Sequence, residues 1–135
     1  GHKGINFQFR PEGGVPLLEL DRDQMKRALM NLIDNAVAAV EERGEVSIST
    51  KYDSSLGKVQ LEVADNGCGR SPEVRERIFE PYFSTKKDGT GLGLAIVSAI
   101  VADHHGYVRV RQNDPKGSRF IIELPAEQRA NAVVA

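Results

Sequence analysis

The sequence predicts an α+β domain, a two-layer sandwich in which three helices cover one face of a mixed, mostly antiparallel sheet. Two observations predict this class. Stretches of alternating apolar and polar residues occur mainly in pairs around turns, and stretches with helical apolar spacing lie between them. The length agrees, because 135 residues suit one domain with one core.

The first predicted elements are two short strands and a long helix. Residues 5–9 alternate apolar and polar, a turn rich in Pro and Gly follows, and residues 17–20 are predicted as a second strand. Asp21 can cap a helix, and Gly44 is expected to end it. The apolar positions with helical spacing are Met25, Leu29, Leu32, Ile33, Ala36, Val37 and Val40.

The remaining predicted elements are a hairpin, two helices and a second hairpin. Ser71 can cap a short helix that has Pro72 at its first position and runs through Phe79. Residues 80–90 form a polar connection to a helix over residues 92–104. The hairpin strands are predicted at residues 45–52, 58–65, 107–112 and 119–124.

Composition and charge exclude several classes of function. The formal net charge is -1, from 18 basic and 19 acidic residues, so we expect no nucleic-acid partner and no direct membrane contact. No apolar run approaches the roughly 20 residues of a membrane span. Cys68 is the only cysteine, which excludes an intrachain disulfide and a cysteine-based metal site.

The ends of the chain carry little pattern. We expect residues 1–4 to be a remnant of cloning, residues 5–125 to be the domain and residues 126–135 to be a C-terminal tail. No signal-peptide pattern is present, so we expect a cytoplasmic location, with membrane anchoring of a full-length protein left open.

Three glycines, Gly89, Gly91 and Gly93, lead into a helical pattern. The stretch lacks the Gly-Lys-Ser/Thr of a P-loop, and Leu94 stands where a dinucleotide fingerprint needs Gly or Ala. Two interpretations remain. The glycines form a hinge before a core helix, or they let the N–H groups of the first helical turn approach phosphate oxygens.

A second glycine-rich stretch follows a predicted strand at Asp65, with Gly67 and Gly69 close behind. One interpretation is an ordinary β-turn with an Asx contact. The other is a carboxylate at the edge of an apolar pocket that accepts a hydrogen bond from an exocyclic amine. The glycines would then leave room for a flat ring beside the backbone.

Two asparagines, Asn31 and Asn35, share one face of the first predicted helix. That face lies roughly opposite the apolar stripe of Leu29, Ile33 and Val40. A solvated helix face is one interpretation, but asparagine is a poor helix former. We favour neutral oxygen ligands for Mg²⁺, which is commonly shared with substrate phosphates.

These three stretches, in this order, resemble the catalytic and ATP-binding domain of sensor histidine kinases. Its GHKL, or Bergerat-type, fold is shared with DNA gyrase, the large heat-shock chaperone and mismatch-repair ATPases. The resemblance covers residues 5–125 and is most similar to nitrogen-regulation kinases. NLIDNA resembles the N box, DNGCG and GTGLGL the two glycine boxes, EPYFSTK the F box and GSRFIIELP the final strand.

The resemblance implies a role for each part of the site. Asp65 would accept a hydrogen bond from the adenine amino group, with Ser118 supporting that contact through water. Asn35 would bind Mg²⁺, and Asn31 would lie beside the metal or the phosphates. Residues 80–90 would form the ATP lid.

The predicted ATP-binding residues are Asn31, Asn35, Asp65, Gly67, Gly69, Tyr82, Phe83, Thr85, Lys86, Lys87, Gly89, Thr90, Gly91, Leu92, Gly93, Leu94 and Ser118. Of these, Asn31, Asn35 and Lys86 are assigned a catalytic role. Ala38 departs from the family, which often has Lys or His there, so more phosphate contact would fall to Lys86 and Lys87.

The resemblance implies an enzyme, a protein-histidine kinase that binds ATP and Mg²⁺ and transfers the γ-phosphate to a histidine. That histidine would lie on a separate dimerisation hairpin, which the printed sequence lacks. A response-regulator receiver domain would be the second partner. We expect the domain alone to be monomeric and the full-length protein to be a homodimer. Two alternatives stay open: a nucleotide-binding regulatory or docking module without catalysis, and a serine kinase of the anti-sigma type.

Overall fold

The computed structural model describes residues 4–40, 43–83 and 91–126. Within these ranges, none of the helices combines the length and the hydropathy that crossing a bilayer requires. The elements, in chain order, are β1 (Gly4–Arg10), α1 (Arg22–Ala39), β2 (Arg43–Asp53), β3 (Lys58–Asp65), α2 (Pro72–Arg77), α3 (Gly93–Asp103), β4 (Tyr107–Gln112) and β5 (Ser118–Pro125).

The strands form one mixed sheet in the order β1-β2-β3-β5-β4. β1 runs parallel to β2, and the other neighbouring pairs are antiparallel. Both predicted hairpins are confirmed. The α+β class and the mostly antiparallel sheet are confirmed as well.

The strand predicted at residues 17–20 is wrong. These residues form no ladder, and Leu17 is 80% exposed while Leu18 packs against the core. A strand needs a neighbour to which its N–H and C=O groups can bond, and these residues pair with none of the five strands of the sheet.

The helix α1 begins as predicted and ends early. The Asp21 side chain accepts a hydrogen bond from the Gln24 backbone N–H at 3.0 Å. The helix ends at Ala39 and not at Gly44, because Val40 turns to extended backbone with ψ 152°. Gly44 instead lies in β2, where an added Cβ would stand 2.6 Å from the Val40 Cβ. Gly44 therefore permits a close approach and does not cap a helix.

The other two helices match the prediction to within a few residues. The Ser71 hydroxyl accepts from the Val74 N–H at 3.3 Å, and Pro72 occupies the first turn of α2, as predicted. This helix ends at Arg77 and not at Phe79.

The core lies between α1, α3 and one face of the sheet. The buried stripe of α1 is centred on Leu32 and Ala36, whereas Leu29 and Ile33 are only partly buried. At the end of α2, the Phe79 ring meets the Phe120 ring edge-on, with centroids 6.1 Å apart. Other fully buried side chains of the core are Val46, Val63, Val97, Val101 and Ile122.

A cluster of charged and polar side chains surrounds Glu123 of β5. Glu123 is 6% exposed, and its Oε1 accepts from Gln60 at 3.0 Å and pairs with Arg109 at 2.9 Å. The hydrogen bond from the Tyr107 hydroxyl is the main cause that lowers the pKa of Glu123, with help from Gln60, Arg109 and Lys58 and against the opposing effect of burial.

Replacing Glu123 with Gln is expected to lower the free energy of unfolding by about 1.5–3 kcal/mol at pH 7, since hydrogen bonds to a charged group are lost. A lowered folded-state pKa means that this contribution is complete above the unfolded-state pKa near 4.5 and disappears as pH falls through the folded-state value. Urea unfolding at several pH values between 7 and 3 measures it.

The exposed Glu73→Gln change is the control, and we expect it to alter stability by less than about 0.5 kcal/mol. A deficit in Glu123→Gln that stays constant down to pH 3 would contradict a charge-based contribution.

Candidate functional site

Several of the predicted site residues lie where α1, the loop after β3, the start of α3 and the start of β5 meet, a region that we call the cleft. Asp65 is the last residue of β3, Ser118 is the first of β5, and Gly93 is the first of α3. Asn31 and Asn35 lie in α1 and are partly buried. Side chains that are far apart in sequence therefore approach one another here.

Asp65 is the most buried ionisable group of the cleft, at 1% exposure. Its Oδ1 accepts from the Gly67 backbone N–H at 2.8 Å and from the Ser118 backbone N–H at 3.3 Å. Its carbonyl oxygen accepts from Asn113 Nδ2 at 2.8 Å. The Gly67 contact is the Asx contact of the ordinary-turn interpretation. It also fixes the carboxylate, so the two interpretations do not exclude each other.

Hydrogen bonds to β2 and to the end of α1 hold the loop after Asp65 in place. Asn66 Oδ1 accepts from the Glu45 N–H at 2.8 Å, and the Cys68 N–H donates to the Ala39 carbonyl at 3.3 Å. A Cβ on Gly67 would stand 2.3 Å from that same carbonyl oxygen. Glycine is required here because the loop passes directly against the end of α1.

Arg70 is a site residue that the sequence analysis missed. Its guanidinium donates to Asn35 Oδ1 at 3.1 Å and to Ser118 Oγ at 3.0 Å. Its Cζ lies 5.4 Å from the centroid of the Phe120 ring, and its carbonyl accepts from Arg75 at 2.6 Å. An arginine directly after the DNGCG stretch was the available signal, but sequence alone does not show where its side chain points.

The charge of Arg70 is held in a partly buried position. Burial lowers the pKa of Arg70, and the neighbouring Asp65 carboxylate opposes that effect. The guanidinium nevertheless stays protonated, as arginine does throughout proteins. In the described part of the cleft, the Arg70 cation therefore lies near the buried Asp65 carboxylate.

The two asparagines have different partners. Asn31 Nδ2 donates to the Gly93 carbonyl at 3.2 Å and so connects α1 with the start of α3. Asn35 Oδ1 accepts from Arg70, while Asn35 Nδ2 is buried and has no hydrogen-bond partner among the residues described. Both amides face the cleft, and neither lies on a purely solvated helix face.

The structure does not describe residues 84–90, so the stretch that leads into α3 is described only from Gly91 onward. The predicted site residues Thr85, Lys86, Lys87, Gly89 and Thr90 lie outside the described residues.

Gly91 has a φ of 74°, and a Cβ there would stand 2.4 Å from the Tyr82 carbonyl carbon. Leu92 precedes α3 and, as leucine, offers no side-chain oxygen to the N–H groups of the first turn, which includes Gly93 and Leu94. That turn can therefore accept an external anion.

The two aromatic residues of the F-box stretch lie apart from the Asp65 contacts. The Tyr82 N–H donates to the Gly91 carbonyl at 2.8 Å, but the Tyr82 side chain is 78% exposed. The Phe83 ring lies under the Arg77 guanidinium, with 4.7 Å from its Cζ to the centroid. Their predicted contact with a nucleotide stays a prediction.

The donor set suits a Mg²⁺ ion that is held mainly by phosphate oxygens and water. No group of three His, Cys, Asp or Glu side chains forms a metal site in the described part of the chain. Asn35 Oδ1 is a neutral oxygen at the cleft, and Mg²⁺ shared with a nucleotide needs few protein oxygens. The residues present therefore fit such an ion, provided that Asn35 Oδ1 is released by Arg70.

Comparisons with known proteins match this chain to a family and to solved structures. A family model described as "Histidine kinase-, DNA gyrase B-, and HSP90-like ATPase" matches residues 20–128. The chain is 39% identical over 121 residues to the sensor histidine kinase ZraS of Salmonella typhimurium, covering 90% of this chain and 26% of ZraS. It is 36% identical over 116 residues to the sensory histidine kinase/phosphatase NtrB of Rhodobacter capsulatus, covering 78% of this chain and 32% of NtrB.

The chain thus spans about a quarter to a third of the length of these relatives. The predicted likeness to nitrogen-regulation kinases is supported in part. NtrB is among the relatives, but its identity to this chain is lower than that of ZraS.

Among solved structures, the catalytic domain of histidine kinase ThkA superposes with a TM-score of 0.80 at 36% identity, covering 90% of this chain and 79% of that one. ThkA in complex with the response regulator protein TrrA gives 0.76 at 33% identity, with coverage of 90% and 34%.

Proposed function

Because the chain belongs to the family of histidine kinase-, DNA gyrase B- and HSP90-like ATPases, we propose that it binds Mg²⁺-ATP and transfers the γ-phosphate to a histidine on a separate dimerisation hairpin. One observation carries the binding proposal. The Asp65 carboxylate is buried at the end of β3, with Oδ1 held by two backbone N–H groups. A carboxylate fixed in this way is an oriented acceptor for an exocyclic amine.

At the base end of the cleft, Asp65 accepts from the adenine amino group. The Ser118 hydroxyl supports the contact through water. The glycines do not act as spacers for the ring, since an added Cβ at Gly67 would meet the Ala39 carbonyl and one at Gly69 would face the Gly117 backbone. The buried position favours discrimination, because a base that lacks the donor would leave the carboxylate without its partner.

At the phosphate end, Asn35 would hold the metal, and Asn31 would lie beside the metal or the phosphates. A bound Mg²⁺ would neutralise phosphate charge and orient the γ-phosphate. The first turn of α3 directs its N–H groups to the phosphates, where the helix dipole favours negative charge. Lys86 and Lys87 remain predicted phosphate contacts on sequence grounds alone.

Catalysis on this proposal is mainly positioning and charge stabilisation. The described side chains around the cleft are amides, hydroxyls, one carboxylate that is committed to the base and one arginine. None of these described groups is placed as a general base for the attacking nucleophile. The nucleophile proposed here, a histidine of the partner hairpin, needs no general base, because a neutral imidazole is already nucleophilic.

The identities of the relatives support the partners proposed here. ZraS and NtrB are named as histidine kinases, and ThkA has been solved with a response regulator. We propose the dimerisation hairpin and a receiver domain as partners of this chain. The domain alone is monomeric, the full-length protein is a homodimer, and the ATP-binding domain works in the cytoplasm, where ATP is supplied.

A two-stage experiment tests the function. Saturating ATP with Mg²⁺ should raise the melting temperature, since about a hundredfold excess over Kd stabilises by about 2.7 kcal/mol. Asn35→Ala should remove most of the additional effect of Mg²⁺ while leaving metal-free nucleotide binding in place. The protein is then mixed with γ-labelled ATP and a histidine-bearing hairpin from a sensor histidine kinase. We expect acid-labile label on the hairpin.

Each other outcome identifies a different function. An unchanged melting temperature would refute nucleotide binding. Binding without transfer would favour the regulatory or docking module, and acid-stable label on a serine-bearing partner would favour the anti-sigma type of kinase.

A further inference from the structure

The inference concerns Arg70 and rests on the proposed function. Its guanidinium bonds Asn35 Oδ1 at 3.1 Å and Ser118 Oγ at 3.0 Å. These two side-chain oxygens belong to α1 and β5, and the proposed function assigns the first to the metal and the second to the contact with the base. One side chain of the protein therefore contacts two groups that the proposed function assigns to the ligand.

The guanidinium of Arg70 has the geometry that these contacts require. A guanidinium is planar and presents N–H donors in a fixed fork, which lets it bond two acceptors at once. Its Cζ also lies 5.4 Å from the Phe120 centroid, within the range of a cation–π contact. Both acceptors and the ring together offset the cost of partly burying the charge.

These contacts compete with the proposed ligand. A divalent cation on Asn35 Oδ1 would stand beside the guanidinium that donates to the same oxygen, and the two positive charges repel. The Ser118 hydroxyl accepts from Arg70 and so has one acceptor position fewer for the ligand, while its own proton stays available. The guanidinium therefore opposes metal binding at Asn35 and restricts the contacts of Ser118.

We infer that Arg70 is a built-in competitor for the nucleotide cleft, an affinity-determining residue that adenine nucleotides displace. Only the fraction of molecules with Arg70 turned away from Asn35 Oδ1 is competent to bind the Mg²⁺ complex of the nucleotide. The observed Kd is then the intrinsic Kd divided by that fraction. Removing the guanidinium raises the fraction and tightens binding, although it removes a positive charge from a site for an anion.

The test compares Arg70→Met with wild type by isothermal titration calorimetry, using adenosine alone and ATP with Mg²⁺. We expect Kd for Mg²⁺-ATP to fall about tenfold, a change of about 1.4 kcal/mol, and Kd for adenosine, which brings no metal to Asn35, to fall less. Arg70→Lys should give a smaller gain, because an ammonium cannot bridge both oxygens as a planar fork does. Arg22→Met, the same chemical change at an exposed position of α1, should leave both Kd values unchanged.

The alternatives give distinct results. Weaker binding of ATP with unchanged binding of adenosine would make Arg70 a phosphate ligand, and weaker binding of both would make it a support for the base. Either result, or unchanged Kd values, overturns the inference while wild-type binding leaves the proposed function intact. If wild type, Arg70→Met and Arg70→Lys all keep a cooperative thermal transition but bind neither ligand, the proposed function fails together with the inference.

Discussion

Replacing Asp65 with asparagine is expected to weaken ATP binding by roughly 10- to 100-fold, or about 1.5–3 kcal/mol. The Asp65 side chain is buried, and its Oδ1 already accepts from the Gly67 and Ser118 N–H groups. An asparagine that keeps these two bonds through its own oxygen must present Nδ2 to the ligand. Two donors, this amide and the adenine amino group, would then face each other.

The same exchange predicts a change in base preference. Inosine triphosphate carries a carbonyl oxygen where adenine carries its amino group, so it suits the new amide donor. Calorimetry should show that Asp65→Asn loses most of the wild-type preference for ATP over inosine triphosphate. Asp114→Asn, at an exposed position, is the matched control and should keep both affinities. Unchanged ATP affinity in Asp65→Asn would remove base recognition from this carboxylate.

Replacing Gly117 with alanine is expected to lower the free energy of unfolding by about 2–4 kcal/mol, from overpacking and backbone strain together. Gly117 has a φ of 107°, and an added Cβ would stand 1.9 Å from the Asp65 carbonyl oxygen. The clash is with backbone, so side-chain rotation cannot relieve it. The turn between β4 and β5 has to move away from the end of β3.

That movement should also weaken the site, because the neighbouring Ser118 N–H would leave Asp65 Oδ1. Urea unfolding measures the stability, and calorimetry with adenosine measures the binding. Gly13→Ala is the matched control, since an added Cβ there meets nothing within 4 Å. It should change stability by less than about 1 kcal/mol. Equal stabilities for Gly117→Ala and Gly13→Ala would show that the turn is not held against β3 as described.

Local patterns were sufficient for most of the secondary structure. Period-two alternation predicted the strand over residues 107–112 with its observed bounds, and the Ser71-Pro72 pair predicted the start of α2. Patterns failed where the outcome depended on a distant partner. Residues 17–20 pair with no strand of the sheet, and Gly44 lies in β2, where its absent Cβ accommodates Val40, and not at a helix end.

The candidate site was likewise predicted from the sequence only in part. The order of the boxes predicted Asn31, Asn35, Asp65 and Ser118 as partners around one ligand, and the structure brings these side chains to one cleft. It did not predict Arg70, which lies between Asn35 and Ser118. The structure adds nothing on Thr85, Lys86, Lys87, Gly89 and Thr90, which lie outside the described residues.

The sequence by itself determined the chemistry available to this protein and the periodicity of its elements, because both depend on neighbouring residues along the chain. The tertiary structure alone decided the strand order, the exact end of α1 and the insertion of the Arg70 guanidinium between two oxygens from distant segments. Such contacts depend on how packed elements place side chains that are 35 and 48 residues apart, and no local pattern encodes that distance.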